Sequence, residues 1–174
     1  MHVAALTPND APRYRALMLY AYAAAPDAFT STAEERASEP ESWWVKRIAD
    51  PKAMSLAFGA FEGQELVGTV TVEFSAKPKT SHKAHLIGMF VSESARGTGA
   101  SRALLAAALD CAKTRPGVLV VTLTATEGNL PATRLYESVG FKAFGVEPMA
   151  IATPDGFKSK VHMWLPLQPA RGAA

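Results

Sequence analysis

Seven consecutive residues, Arg96, Gly97, Thr98, Gly99, Ala100, Ser101 and Arg102, stand between two apolar runs. The first, Leu86-Ile87-Gly88-Met89-Phe90-Val91, reads as a strand, and the second, residues 103–109, reads as a helix. A loop of small residues at the start of a helix exposes several backbone N–H groups together. Such a loop is suited to hold a phosphate or pyrophosphate. Gly97 and Gly99 allow close approach of an anion to the backbone because no Cβ intervenes. Arg96 and Arg102 add positive charge at the rim. The loop lacks the Gly-Lys-Ser/Thr ending that serves Mg²⁺ and the terminal phosphates of a nucleotide, which weighs against a nucleotide-phosphate enzyme.

The surrounding pattern predicts the elements that position this loop. A short strand over 3–6 leads through Thr7-Pro8-Asn9-Asp10 into a helix over 11–24, stopped by Pro26-Asp27. A second helical stretch starts near Thr32, is interrupted at Pro40, resumes over 41–49 and ends at Asp50-Pro51. Strands over 55–61 and 66–74 flank Glu62-Gly63-Gln64-Glu65, a hairpin signal. Residues 77–83 form a polar loop, and the strand over 84–91 enters the glycine loop. The helix that follows sets Leu104, Leu105, Ala108, Leu109 and Ala112 on one face. Arg115-Pro116-Gly117 ends it before an apolar, β-branched strand over 118–125. A helix over 131–139 groups Ala132, Leu135, Tyr136 and Val139, with Gly140 at the left-handed cap position. Strands over 141–151 and 160–167 close the chain around Pro154-Asp155-Gly156, and residues 168–174 are expected to be a disordered tail. The expected fold is one mixed α/β (α+β) domain over 1–167, with about seven strands and about four helices. Its element order is not that of a repeating βαβ unit.

Composition narrows the class. A chain of 174 residues suits one domain with a real core. Eighteen Lys+Arg against sixteen Asp+Glu leave a formal charge of +2, which offers no global case for nucleic acid. The one cysteine, Cys111, rules out an intramolecular disulfide and any multi-cysteine metal site, and fits a reducing compartment. No apolar run approaches the ~20 residues of a membrane span. Met1 to Leu6 does not resemble a signal peptide, so a cytoplasmic setting is expected.

Some thirty residues after the loop comes a second pattern: Asn129, Ala132, Leu135, Tyr136, Gly140 and Phe141. Together the two segments resemble the GNAT N-acetyltransferase superfamily. Its donor loop has the form Arg/Gln-x-x-Gly-x-Gly/Ala, matched from Arg96 onward, with Ser101 departing at the last small position. Its second motif has the form Asn-x-x-Ala-x-x-Leu-Tyr-x-x-x-Gly-Phe, matched here throughout. The element order fits over nearly the whole chain.

The resemblance implies acetyl-CoA as co-substrate, no metal, and transfer to a primary amine in a ternary complex. The N–H groups of Gly97 through Arg102 would hold the pyrophosphate. The pantetheine arm would lie beside Met89, Phe90 and Val91, between strands that splay apart in this family, with Phe90 and Val91 offering backbone groups. A backbone N–H near Phe90 would polarise the acetyl carbonyl. Asn129 would bond the arm or its neighbours, and Tyr136 would reach the sulfur as general acid. A tyrosine of pKa ~10 facing a thiol of ~8.5 makes full proton transfer uphill by roughly 2 kcal/mol, so a hydrogen bond or a shifted pKa is required.

The attacking amine must be neutral. At pH 7 a lysine-like amine is neutral in about one molecule in 2,500, an α-amine in roughly one in seven. Many relatives carry a glutamate on the strand before the loop; the strand over 84–91 has none. His85, Glu73, Glu147 and a water chain are the candidate bases. Trp43 and Trp44 are expected to pack the second helical stretch onto the sheet, or one of them to line the acceptor pocket. Glu34, Glu35, Glu39 and Glu41 read as a solvated face or as an attractant for a cationic acceptor. Cys111 reads as core. The competing function is an acyl-CoA-binding sensor with this fold and no transfer, and the expected assembly is a monomer or homodimer.

Overall fold

Alternating and continuous apolar runs pair into a sheet whose order is β1-β2-β3-β4-β5-β7-β6 in the computed structural model, which describes residues 1–167. The strands are β1 (His2–Ala5), β2 (Ser55–Glu62), β3 (Glu65–Phe74), β4 (Lys83–Val91), β5 (Val120–Thr126), β6 (Lys142–Thr153) and β7 (Gly156–Pro166). Every neighbouring pair is antiparallel except β4 with β5, which is parallel. The expected tail at 168–174 lies outside the described residues.

Five α-helices occur among the described residues, not four: α1 (Ala11–Ala24), α2 (Ala33–Ala37), α3 (Glu41–Ile48), α4 (Ala100–Thr114) and α5 (Leu130–Ser138). The extra one arises at Pro40, whose extended φ of −70° and ψ of 160° split the second helical stretch into two short helices. None of the helices is long and apolar enough to cross a membrane.

Two apolar clusters hold the helices to the sheet. Leu104, Leu105, Ala108, Leu109 and Ala112 of α4 are buried with Val70, Val72, Val121 and Leu123, and Tyr136 and Phe141 join them. The other cluster packs Tyr14, Met18, Ala21 and Tyr22 of α1 with Trp44 and Ile48 of α3. The expected packing role of the paired tryptophans therefore falls to Trp44, which is fully buried. Trp43 is half-exposed, with the guanidinium groups of Arg36 and Arg47 over its ring.

The parallel seam positions the site. β4 and β5 pair only at Lys83↔Val120, Ala84↔Val121 and His85↔Thr122. Beyond His85 the two strands diverge, each still supported by its outer neighbour, as the splayed central strands were expected to.

Candidate active site

The glycine loop forms as a sequence of constrained turns. Gly97 and Gly99 have φ of 77° and 88°, in the left-handed region that L side chains rarely adopt. A Cβ at either position would meet no neighbouring atom within 4 Å, so conformation is what the chain itself demands there. Gly99 is the N-cap of α4, and the first helical bond runs from Ala103 N–H to the Gly99 carbonyl. Ala100, Ser101 and Arg102 therefore form the first helical turn rather than loop, and their N–H groups precede the intrahelical ladder. Among the described residues no hydrogen bond is donated by the backbone N–H of Gly97, Thr98 or Gly99. Arg96 and Arg102 are exposed beside them.

A bulge reshapes β4 where it leaves β5. Thr71 faces Ile87 and Thr69 faces Phe90, so Gly88 and Met89 together oppose the single residue Val70. Gly88 takes φ of 61° to make this possible. Sequence reasoning passed over Gly88, although a glycine inside a strand pattern is the usual sign of a bulge. The ladder also corrects one expectation. Ser92 N–H donates to the Val67 carbonyl at 2.8 Å. Antiparallel alternation then turns Phe90, opposite Thr69, toward β3, and turns the N–H and C=O of Val91 toward the gap. Val91, not Phe90, presents backbone groups there. The Phe90 ring is buried against Tyr20 and Phe29 at centroid distances of 5.9 and 6.4 Å.

A cavity of about 200 Å³ opens at the divergence of β4 and β5. Gly88 and Met89 line one side, Thr124 to Thr126 the other, and Asn129, Ala132 and Tyr136 its end. Three of the expected site residues, Met89, Asn129 and Tyr136, thus come together. The Asn129 carboxamide accepts from Ala132 N–H at 3.3 Å and caps α5. The Tyr136 side chain lies edge-on to Phe141. Burial pushes the Tyr136 hydroxyl up to about 12. The shift runs opposite to what proton donation needs: transfer to a thiolate of pKa ~8.5 would now be uphill by about 5 kcal/mol. A hydroxyl so shifted is suited to donate a hydrogen bond while keeping its proton.

The remaining wall comes from Tyr22 of α1, from Phe29, Thr30 and Ser31 in the following connection, and from Arg47 and Lys160. None of the three candidate bases lines the cavity. His85 is the last residue to pair across the seam; its Nδ1 lies 2.8 Å from the Thr122 hydroxyl, and burial lowers its pKa despite Glu73 nearby. Glu73 stands opposite His85 in the β3–β4 ladder. Glu147 is paired with His162 at 2.9 Å on the closing hairpin. Neither Trp43 nor Trp44 lines the cavity. The acidic face does not either: Arg36 holds both Glu35 and Glu39. Cys111 lies on α4 away from the cavity, its thiol pushed up by burial. Among the described residues no cluster of three or more potential metal ligands occurs.

Solved structures of other proteins share this fold. The chain is similar in structure to yncA from Salmonella typhimurium, solved with its cofactor acetyl-CoA, at 17% identity and a TM-score of 0.80, covering 100% of this chain and 98% of that one. It is also similar to a ribosomal-protein-alanine N-acetyltransferase from Brucella melitensis, at 22% identity and a TM-score of 0.79, covering 96% and 100%. A GCN5-related N-acetyltransferase from Kribbella flavida matches at 23% identity and a TM-score of 0.78, covering 95% and 97%. No curated protein matches by sequence. The family model described as Acetyltransferase (GNAT) family matches residues 18–141. With most of its length matched and the fold shared, the chain belongs to the GNAT acetyltransferase family.

Proposed function

We propose that this chain moves an acetyl group from acetyl-CoA to a primary amine by direct transfer in a ternary complex. One observation carries the proposal: past His85 the split between β4 and β5 opens into a cavity ended by Tyr136, and β4 leads on through residues 92–95 to the glycine loop. The residues fit acetyl-CoA along that whole path. The N–H groups from Gly97 to Arg102 suit its diphosphate, with Arg96 and Arg102 at the rim. Val91 and the Gly88–Met89 bulge suit the amides of its arm. When bound, acetyl-CoA supplies an activated acyl thioester.

The chain's own residues then have limited tasks. Tyr136 offers a hydrogen bond to negative charge developing on sulfur and retains its proton. Asn129 keeps α5 in place through its cap and lies against the cavity as a further polar contact. Direct transfer is favoured because Cys111 does not line the cavity and burial pushes its thiol up, away from the thiolate form. No carboxylate or imidazole lines the cavity among the described residues, so the amine loses its proton to water or reaches the site already neutral. That favours amines of lower pKa.

Mixing the protein with acetyl-CoA and a panel of amines, with free thiol followed by a disulfide reagent and product by mass spectrometry, tests this. Amine-dependent CoA release with an N-acetyl product is the expected result. Tight acetyl-CoA binding with no turnover on any amine would make the protein an acyl-CoA sensor instead.

A further inference from the structure

The acceptor wall carries charge of one sign only. Arg47, in the last turn of α3, is half-buried and lines the cavity. Its Nε donates to the Tyr14 hydroxyl at 3.2 Å, and its guanidinium lies over the Trp43 ring, 5.3 Å from the centroid. These contacts fix the plane of the guanidinium and leave both terminal nitrogens without a hydrogen bond among the described residues. No carboxylate pairs with it there; Glu73 lies within its electrostatic reach but forms no ion pair. Lys160, the second cation on the wall, is also without an ion pair among the described residues; the facing Glu147 is held by His162 and Asp27 by Lys158.

A half-buried arginine with a free fork is matched by a carboxylate, which accepts two parallel N–H donors. On the reading that the cavity performs acetyl transfer, we propose that the acceptor is a primary amine that also carries a carboxylate, held by Arg47 with Lys160 in support. The same two cations lower the pKa of an ammonium bound between them, because like charge disfavours the charged form. They thereby do part of the work for which no base lines the cavity. Polyamines and other purely cationic acceptors are disfavoured by the same charges.

The test reads binding and turnover separately. L-leucine, L-phenylalanine and β-alanine, each beside its primary amide, are titrated by calorimetry into CoA-saturated protein, then assayed for thiol release with acetyl-CoA. At least one acid is expected to bind roughly 10- to 100-fold tighter than its amide, the range for losing a hydrogen bond to a charged group. Arg47→Gln should bring that ratio to within about twofold, and Arg47→Lys should retain part of it. Unchanged acetyl-CoA affinity reports that each variant is folded; should Arg47→Gln fail that check, Lys160→Met lowers the ratio without disturbing the Tyr14 contact. Amides bound as well as acids, an acid preference that survives Arg47→Gln, or no acid bound by CoA-saturated protein each overturn the proposal while leaving acetyl transfer standing. Failure to bind CoA or acetyl-CoA at all removes the transferase assignment itself.

Discussion

The two walls of the cavity are made of different material. On the side proposed for acetyl-CoA, main-chain groups dominate: the bulge at Gly88 lines the cavity, and Val91 and the glycine-loop N–H groups lie beyond it along the chain. Their placement depends on φ angles and strand pairing, with Asn129 and Tyr136 as polar side chains at the end of the cavity. On the side proposed for the amine the lining side chains come from α1, the connection after it, α3 and β7. A main-chain site tolerates many sequences as long as glycines stand where the backbone turns. A side-chain site can be rebuilt one residue at a time without touching the scaffold. The main-chain character of the acetyl-CoA side is compatible with solved structures under 25% identical sharing this fold.

Substitutions on the donor side are the sharpest way to break this contrast. The largest effect is expected at Tyr136. Tyr136→Phe should lower kcat roughly 100-fold, the scale for losing one donor to developing charge, with the KM for acetyl-CoA within about twofold. Steady-state kinetics check it, and an unchanged kcat removes the tyrosine from the chemistry. The same residue has a pH signature. Its folded pKa near 12 lies above the ordinary 10.0, so its contribution to stability is intact below pH 10 and is lost as pH rises toward 12. Tyrosinate absorbance at high pH, compared with Tyr136→Phe, reads that titration.

Next comes the loop. Gly99→Val forces a β-branched residue into φ of 88° and should weaken acetyl-CoA roughly 100-fold, about 2.7 kcal/mol, by calorimetry. Equal binding would show that the main-chain geometry is dispensable. Asn129→Ala should cost about 1 kcal/mol of stability through the lost cap, seen as a lower Tm. Asn129→Asp keeps a capping oxygen, so any activity it loses separates a contact in the cavity from a helix-capping duty. The smallest effect is expected at His85. With its pKa lowered by burial, His85 contributes stability that is present above pH 6.5 and lost as pH falls below it. His85→Asn should flatten that acid limb in denaturant titrations while changing kcat less than about threefold; a large kcat loss would restore it as a base.

The same contrast governs what the sequence disclosed. The loop at residues 96–102, the seam strands and the Asn129–Phe141 segment are short contiguous patterns, and each was legible locally. So was the α4 face from Leu104 to Ala112, whose residues are buried as spaced. The bulge at Gly88 was visible as a glycine within a strand, yet its meaning needed the register with Val70. Arg47 was not legible at all. In sequence it is one of two basic residues closing a short helix, indistinguishable from Lys46 beside it. Only the packing of α3 against α1, which sets Tyr14 beside it while Trp43 lies one turn earlier on α3, turns the one inward and leaves the other exposed. The tryptophan pair shows the same limit: adjacency in sequence did not reveal that one would be entombed and the other would carry two guanidinium groups on its ring.

An open sheet of seven strands has two rims. This one has four, because the strands that part after His85 expose two more within the fold. The outer rims are β1 and β6, and edge strands are where sheets generally meet other chains. The inner pair borders the cavity at Gly88–Met89 and Thr124–Thr126, where the amides of acetyl-CoA are proposed to lie. Amide protons along the inner rim of β4 should therefore exchange quickly in the free protein and slow when acetyl-CoA is added, so that a small molecule finishes the sheet that the polypeptide leaves divided.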